Sequence, residues 1–590
     1  MSDRPRAALC GLAASLMLAC LLGAAPASAG VIVSPQAGTI SATPSEQISF
    51  LGATKRSLSH ISVVGSLSGS HRGHLRAYAS KTGVSFIPAK GFTQGETVAV
   101  SATWRGPRGR RAHLRTSFAI AMRATIGEME FPATPGTAAD VQNFHAEAEL
   151  HPPTVIVHTA AGAATAPGYL FGAPFLGPAQ WGPMIFDSAG NLVWFRQVPP
   201  GQDAADFRTQ VYRGRDMLTW WQGRTLTFGF GLGEDLIADA NYRIVARVKA
   251  GNGLSTDEHE FNVTPQGTAT ILAYNPVQAN LSSAGGSPNG IALDGIIQEI
   301  DIKTGLVMWE WHALGRVDLT ESYSKTPGLL TNPYDYFHIN SVQADRHGNL
   351  LVSARNTSTI YDVNHHTGAI MWRLGGKKST FTLGPGVAFA FQHNAEWQPD
   401  GTLTLFDDEG APPVNPPSRG EIVRLDTARK TASLVKAFAR TPPVTTASQG
   451  NFQALPGGGW MIGWGGLPNF TEFDSTGAMI FDAQFPKGEF SYRVYRLPWS
   501  AQPLTPPAIA AHTAGATNTV YASWNGATTV ASWQLLTGPS ASQLTAVSTT
   551  PRSGFETTIP APAAAFYEVR ALSTSGRVLG TSKPIAPTNG

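Results

Sequence analysis

The stretch Tyr336–Asn356 reads YFHINSVQADRHGNLLVSARN. It predicts two short strands, HINSV and LLVSA, around the turn D-R-H-G-N. His338 opens the first strand, and Arg355 closes the second beside Asn356. A strand that only filled a core would need neither an imidazole at one end nor a guanidinium at the other.

The same piece recurs along the middle of the chain. It returns as FRTQVYRGRDMLTWW (207–221), HEFNVTPQGTATILAYN (259–275), HNAEWQPDGTLTLFDDE (393–409) and NFQALPGGGWMIGWGG (451–466). A second recurrent piece, an Asp/Gly turn running into an apolar strand, ends each unit. It reads DSAGNLVWF (187–195), DANYRIVARV (239–248), DIKTGLVMWEW (301–311), DVNHHTGAIMWRL (362–374), DTARKTASLVKAF (426–438) and DSTGAMIFDAQF (474–485). With Trp194, Val248, Trp309, Trp372, Phe438 and Phe481 as equivalents, the spacings are 54, 61, 63, 66 and 43. Six units of that size predict a six-bladed β-propeller with four strands per blade. The unit at 168–198 lacks the lead piece. SYRVYRLPW (491–499) can supply it from the far end of the repeat and so close a ring without free sheet edges.

The rest of the chain frames that repeat. Its 590 residues exceed what one core can serve. An apolar fraction of 42% is ordinary for a globular protein, while 62 glycines, 42 prolines and only 14% charged residues favour strands and turns over long helices. Residues 1–29 read as a signal peptide: two arginines, an apolar run, then A-S-A before Gly30. The mature chain is therefore expected to be exported, to the periplasm, the cell surface or the medium. Both cysteines, Cys10 and Cys20, fall in that segment, which leaves no disulfide, thiol nucleophile or cysteine-bound metal. The remainder carries 41 basic against 39 acidic residues, a balance that points to neither nucleic acid nor an anionic membrane as partner. No later apolar run is long enough to span a bilayer.

Short alternating strands over 30–125 predict an immunoglobulin-like sandwich, followed by an Ala/Pro/Thr-rich linker over 126–166. The propeller is expected over 167–502. Residues 503–590 predict a fibronectin type III-like sandwich, with Trp524 in its core and Tyr567 late in its strands. The fold class is thus all-β, a propeller between two sandwiches.

Alignment of the lead pieces puts Phe207, His259, His338, His393 and Asn451 at one position of the innermost strands. Innermost propeller strands surround a central channel, so three histidines 79 and 55 residues apart converge on one spot. Arg355 reaches it from a neighbouring strand, and Asn340 lies two residues after His338 on the same strand face. Three readings fit. Each histidine can serve its own blade by bonding a loop backbone. Three can hold a metal, with Asp257, Glu258, Asp407 and Asp408 nearby, although Arg355 beside a cation is unfavourable. Or the set can bind an oxyanion, for which Arg supplies a forked pair of donors and histidine a nucleophile. His347, His365 and His366 lie in outer turns and are expected to be solvated, and His312 after W-E-W to be structural. Tyr323, Tyr334, Tyr336, Phe381, Phe389 and Phe391, in insertions over 316–336 and 376–392, are expected to line an aromatic pocket, with a further insertion at 276–291.

D-Y-F-H-I-N-S-V, L-L-V-S-A-R-N-T-S, G-A-I-M-W-R-L-G-G and F-Q-H-N-A, in that order, resemble the bacterial arylsulfotransferase family, over about 160–500. That resemblance implies a six-bladed propeller enzyme without cofactor, nucleotide sulfate donor or metal. A sulfuryl group passes from an aryl sulfate to an enzyme histidine and then to a phenol. Motif by motif, His393 falls on the histidine that carries the sulfuryl group and His259 and His338 on its partners. Arg355 falls on the arginine that clamps the sulfuryl oxygens, and Asn340 on a nearby asparagine. Tyr334, Tyr336 and Phe391 join Asn340 as expected substrate contacts. Members with a disulfide and a dedicated oxidase differ from this chain, whose mature part has no cysteine. Two rivals remain: a propeller lectin or adhesin, and a metal-dependent propeller hydrolase or lyase.

Overall fold

A computed structural model describes residues 30–328, 332–514 and 517–589, so the expected signal peptide lies outside the described residues. The protein is all-β, and its only helices among the described residues are five single turns of 3-10 helix. None is long and apolar enough to cross a membrane.

Six four-stranded antiparallel sheets follow one another through residues 169–497. Sheet I joins Tyr169–Gly172, Met184–Phe186 and Leu192–Phe195 to Tyr495–Leu497, which pairs with its first strand. Sheet II begins at Asp203–Tyr212, sheet III at Phe261–Val263, sheet IV at Ile339–Ala344, sheet V at His393–Trp397 and sheet VI at Asn451–Ala454. Each then runs outward through three consecutive strands. Sheets V and VI gain a fifth strand at the outer edge, Thr382–Leu383 and Ile156–Thr159 respectively. The latter comes from the segment expected to be an irregular linker, which thus covers an edge that would otherwise expose unpaired backbone.

Side chains of the first strands stitch each sheet to the next. Gln210 of sheet II donates to Phe261 O (2.7 Å) and accepts from Val263 N (2.8 Å). Asn262 donates to Val342 O (2.6 Å), and Trp397 N donates to Gln343 Oε1 (2.7 Å). Phe452 N donates to Asn394 Oδ1 (2.9 Å), and Gln453 exchanges two bonds with the backbone of Arg496. The circuit returns to sheet II through Asp206, which accepts from Arg493 (2.9 Å) and Tyr495 (3.1 Å). Arg493 is fully buried and also reaches Glu260 Oε2 and Asn340 O, so one guanidinium ties the last segment to sheets II, III and IV. Its many donors satisfy buried acceptors that would each cost stability if left alone.

The outer register corrects the sequence alignment in two sheets. Trp194, Trp309, Trp372 and Phe481 each face the residue just before a bulge between third and fourth strands. In sheets II and V that place belongs to Ala246 and Lys436, and Val248 and Phe438 lie two residues later. A slip of two keeps a side chain on the same face, which is why the apolar pattern survives it. The insertion expected at 276–291 is in large part a hairpin, because the strands Thr268–Ala279 and Gly290–Asp301 run on through it.

Residues 32–119 form two four-stranded sheets around a core that includes Phe50, Val98 and Trp104. They rest on sheet III: Glu310 N donates to Ser34 Oγ (3.0 Å), and Ser41 Oγ meets His312 Nδ1 (3.0 Å). Residues 508–589 form two more four-stranded sheets. Trp524 and Tyr567 are buried in their core, and Tyr567 OH donates to Pro562 O (2.7 Å), fixing the corner between strands.

Candidate active site

His259, His338, Arg355 and His393 line one cavity of about 290 Å³, near the low end for a small-ligand site. The rings of His259 and His338 meet edge to face with centroids 5.0 Å apart. Tyr492 stands between His259 (5.4 Å) and His393 (6.4 Å).

Local backbone explains how His393 is aimed. It opens the first strand of sheet V opposite Phe406, and a bulge at Asn394–Ala395 follows at once. Asn394 has φ 49°, a conformation that Asn tolerates better than most residues. Sheet II carries the same bulge at Asp206–Phe207, also with φ 49° at its first residue, and there Ala205 takes the place of His393. Phe207 is therefore not the counterpart of the histidines. It is buried with Phe171, Trp194 and Trp220, and the methyl of Ala205 lines the cavity instead. Asn451, opposite Gly463, does share the rung of His393, but it bonds Val494 and does not line the cavity. Bulges of this kind re-aim side chains beside functional sites.

Each histidine holds a carboxylate at Nδ1. His259 pairs with Asp257 Oδ2 (2.6 Å), His393 with Asp408 Oδ2 (2.7 Å), and His338 with Asp335. That bond fixes ring orientation and directs Nε2 outward. Nε2 of His259 and His338 has no protein partner among the described residues, whereas Nε2 of His393 accepts from Gln449 N–H (3.2 Å). A nitrogen that accepts from an amide carries the lone pair, so His393 is the tautomer with its proton on Nδ1. Burial, and then the charge of Arg355, hold the His393 imidazole well below its ordinary range, and burial lowers His338 as well. Although burial pushes Asp257 up, His259 beside it keeps that carboxyl below its usual value.

Arg355 bonds Asn356 Oδ1 (2.9 Å) and Ala447 O (2.8 Å), and its buried Nε has no partner. It lies over the ring of Phe391 at 4.9 Å. The guanidinium therefore keeps a donor in reserve while its other edge is pinned. Glu258 also lines the cavity; its buried Oε2 is unpartnered, and burial, reinforced by Asp257, pushes its carboxyl well up.

Four expected substrate contacts lie elsewhere. Tyr336 is fully buried against Tyr334 and Phe337, and Tyr334 OH is spent on Leu319 O and Ser324 O. Phe391 props Arg355. Asn340 donates to Gln392 O (2.7 Å) and so positions the residue before His393. Phe381 packs on Trp372, and Tyr323 lies under Lys377, so the insertion rings mostly pack their own loops. The aromatic wall comes from Phe131, Phe175, Phe228 and Tyr492. Of these, Phe131 sits in the expected linker, and no repeat signal marks it. His365 is not simply solvated: it stacks on Trp309 (4.5 Å) and faces Glu299.

The sequence names Asp257 and Asp408 only as acidic neighbours, and Asp335 only as a letter of D-Y-F-H. Their role appears once the folded chain brings each to an Nδ1. Asp257, Glu258 and His259 cluster closely enough to suggest a cation. Yet both oxygens of Asp257 already accept protein N–H groups, Oδ1 from Gly231 and Oδ2 from His259. Carboxylates on Nδ1 also occur behind metal-bound histidines, but Gln449 N–H on His393 and Arg355 in the same cavity oppose a metal on these three.

Among comparisons with known proteins, residues 208–486 match the family described as arylsulfotransferase (ASST). No curated protein matches. Among solved structures, a protein of unknown function from Bacteroides caccae is 13% identical at a TM-score of 0.35, over 56% of this chain and 98% of that one. A protein of unknown function from Dyadobacter fermentans is 9% identical at a TM-score of 0.27, over 64% and 96%. The NanB sialidase from Streptococcus pneumoniae is 9% identical at 0.24, over 79% and 69%. At these TM-scores none of the three bears on fold or activity. The family match spans all three histidines, their carboxylates and Arg355, so residues 208–486, just under half of the chain, carry the arylsulfotransferase signature.

Proposed function

We propose that the protein is an aryl-sulfate sulfotransferase working by a two-step exchange through His393. The observation that carries the reading is one cavity shared by three carboxylate-backed histidines and an arginine whose buried Nε–H is free. In the first step the Nε2 lone pair of His393 attacks sulfur, and the bond from sulfur to the aryl oxygen breaks. The electron pair leaves on the phenolate, which takes a proton from His259. In the second step a phenol oxygen attacks the same sulfur, the N–S bond breaks, and its pair returns to Nε2 while His259 recovers the proton. Asp257 steadies the imidazolium form of His259. Arg355 donates to the equatorial oxygens, as in-line transfer requires; His338, whose Nδ1 faces Asp335, adds a donor at Nε2 only in its protonated form. For the attack, Gln449 N–H must yield the lone pair it occupies.

Around this site we read sheets I–VI over 167–502 as the blades of a six-bladed propeller, on the strength of the closed circuit of inter-sheet bonds. Residues 30–125 and 503–590 are flanking immunoglobulin-like and fibronectin type III-like sandwiches, and export by residues 1–29 places the enzyme outside the cytoplasm. The test is mass spectrometry after mixing with p-nitrophenyl sulfate. The expected result is a gain of one sulfuryl group on His393, discharged by phenol and absent from His393→Ala. An unmodified protein that turns over no aryl sulfate would refute the reading.

A further inference from the structure

Three cavities lie side by side from the histidine site to the surface. Phe131, Phe175, Asp203 and Thr225 line both the histidine cavity and a second one of about 100 Å³. Trp181, Gly201 and Gln202 line both the second and a third, of about 620 Å³, bordered by the exposed turn at Pro199–Gly201. Phe131 stands at the first junction and Trp181 at the second. Phe131 is carried by a segment outside the residues of the family match, held by Thr227 N donating to Met129 O (2.8 Å) and by the bridge of Glu130 to Leu226. It is 40% exposed, and Met129 beside it 62%. Large apolar side chains left open beside a cavity mark a surface that a ligand can cover.

Charge at the junctions narrows the ligand. Asp203 is buried there, with its carboxyl accepting from Thr225 N and Oγ1. Burial raises it only to about 6, so it is charged at neutral pH. Glu130 lines the second cavity too. The cation among them, Arg224, is already bonded to Glu128 (2.6 Å) and Glu130 (3.2 Å). An anionic tail resting at this neck meets uncompensated negative charge, whereas a neutral ring meets Phe131, Phe175 and then Trp181.

We propose that the three cavities form one aryl groove, which takes a phenol, or its sulfate ester, whose tail is a second, uncharged aromatic ring. The phenolic oxygen lies at the histidines, and the tail runs between Phe131 and Phe175 toward Trp181. This assignment rests on the sulfotransfer reading and names its substrate class.

Binding to His393→Ala protein, which is expected not to turn over, tests the groove apart from the chemistry. Titration calorimetry with 4-phenylphenol, 4'-hydroxybiphenyl-4-carboxylate and phenol is expected to rank them with 4-phenylphenol tightest. Trp181→Ala and Phe131→Ala each weaken 4-phenylphenol by about tenfold, the worth of one ring contact. Trp181→Phe and Phe131→Tyr keep most of it, and circular dichroism checks that every variant is folded. The carboxylate binds at least about tenfold more weakly than 4-phenylphenol, and Asp203→Asn narrows that gap. Equal binding of the two biaryls, or indifference to both ring deletions in folded protein, overturns the groove. Should wild-type protein gain no sulfuryl group while the ring deletions still weaken binding, the groove stands and the sulfotransfer reading falls.

Discussion

Replacing Asp408 by asparagine tests what sets the nucleophile. Asp408 Oδ2 lies 2.7 Å from His393 Nδ1, both buried, and the half-buried Gln449 places its N 3.2 Å from Nε2. The amide introduced by Asp408→Asn can meet Nδ1 with its oxygen and preserve the tautomer. Alternatively it can present its NH2 and force the proton onto Nε2. The second choice sets Nε2–H against Gln449 N–H, and two opposed buried donors cost about 1–3 kcal/mol. The oxygen therefore stays toward Nδ1. What is lost is the extra strength of a carboxylate over a neutral acceptor as positive charge grows on the ring, about 1–2 kcal/mol. Burial, which pushes the Asp408 carboxyl well up, keeps that loss at the lower end. The rate of the first nitrophenol burst, read by stopped flow, is thus expected to fall about 5- to 10-fold. A fall on the order of 10⁴, the mark of an inverted tautomer, would refute the lock by Gln449. An unchanged burst would refute any part for Asp408.

Two further predictions concern stability. Burial would lower the pKa of His312, but Asp294 and Glu310, each 2.6 Å away, hold it up at about 10. A folded pKa above the unfolded value of about 6.5 gives stability that is complete below pH ~6.5 and lost as pH rises toward 10, by linkage of the order of 5 kcal/mol. Unfolding free energy measured in urea should therefore drop across that window, and His312→Gln should flatten the drop; an equal slope in the variant contradicts the assignment. Arg493→Met leaves the buried carboxylates of Asp206 and Glu260 to share one cation, Arg208 (3.1 and 2.6 Å). It should lower stability by about 3–5 kcal/mol, read as a lower urea midpoint, and a loss under about 1 kcal/mol would show that the arginine does not hold the circuit closed.

What the sequence made legible was periodic. A turn, an apolar strand and a returning lead piece fixed six sheets, and Tyr495–Leu497 paired where a missing strand was expected. Register was less legible, because a side-chain period of two cannot distinguish Val248 from Ala246. Bulges were invisible for the same reason, so Phe207 aligned with the histidines although Ala205 holds the rung of His393. His259, His338, Arg355 and His393 do share one cavity, since the starts of the first strands of sheets III–V bring the histidines, and the end of the second strand of sheet IV brings Arg355, to one place. The expected pocket aromatics failed because ring content says nothing about direction: Tyr334 and Tyr336 turn inward to a core with Trp311 and Leu293.

The parts of the site that were hidden share a property: they are contributed from far along the chain or through the backbone. Phe131 arrives from a segment with no repeat, Tyr492 from beyond the last full unit, and Gln449 through its amide, which no side-chain motif can record. The groups proposed to react sit on the stitched sheet strands or at their ends, while the proposed ligand walls sit on loops and on the entering segment. That division follows from what each must do. A nucleophile misplaced by an ångström loses most of its rate, so it belongs on a strand stitched to both neighbours. A wall that discriminates tails needs only shape and charge, and can change with its loop while the histidines stay fixed. On the proposed groove, substrate range would be set by residues such as Phe131 and Phe175, which lie outside the segment that carries the family signature.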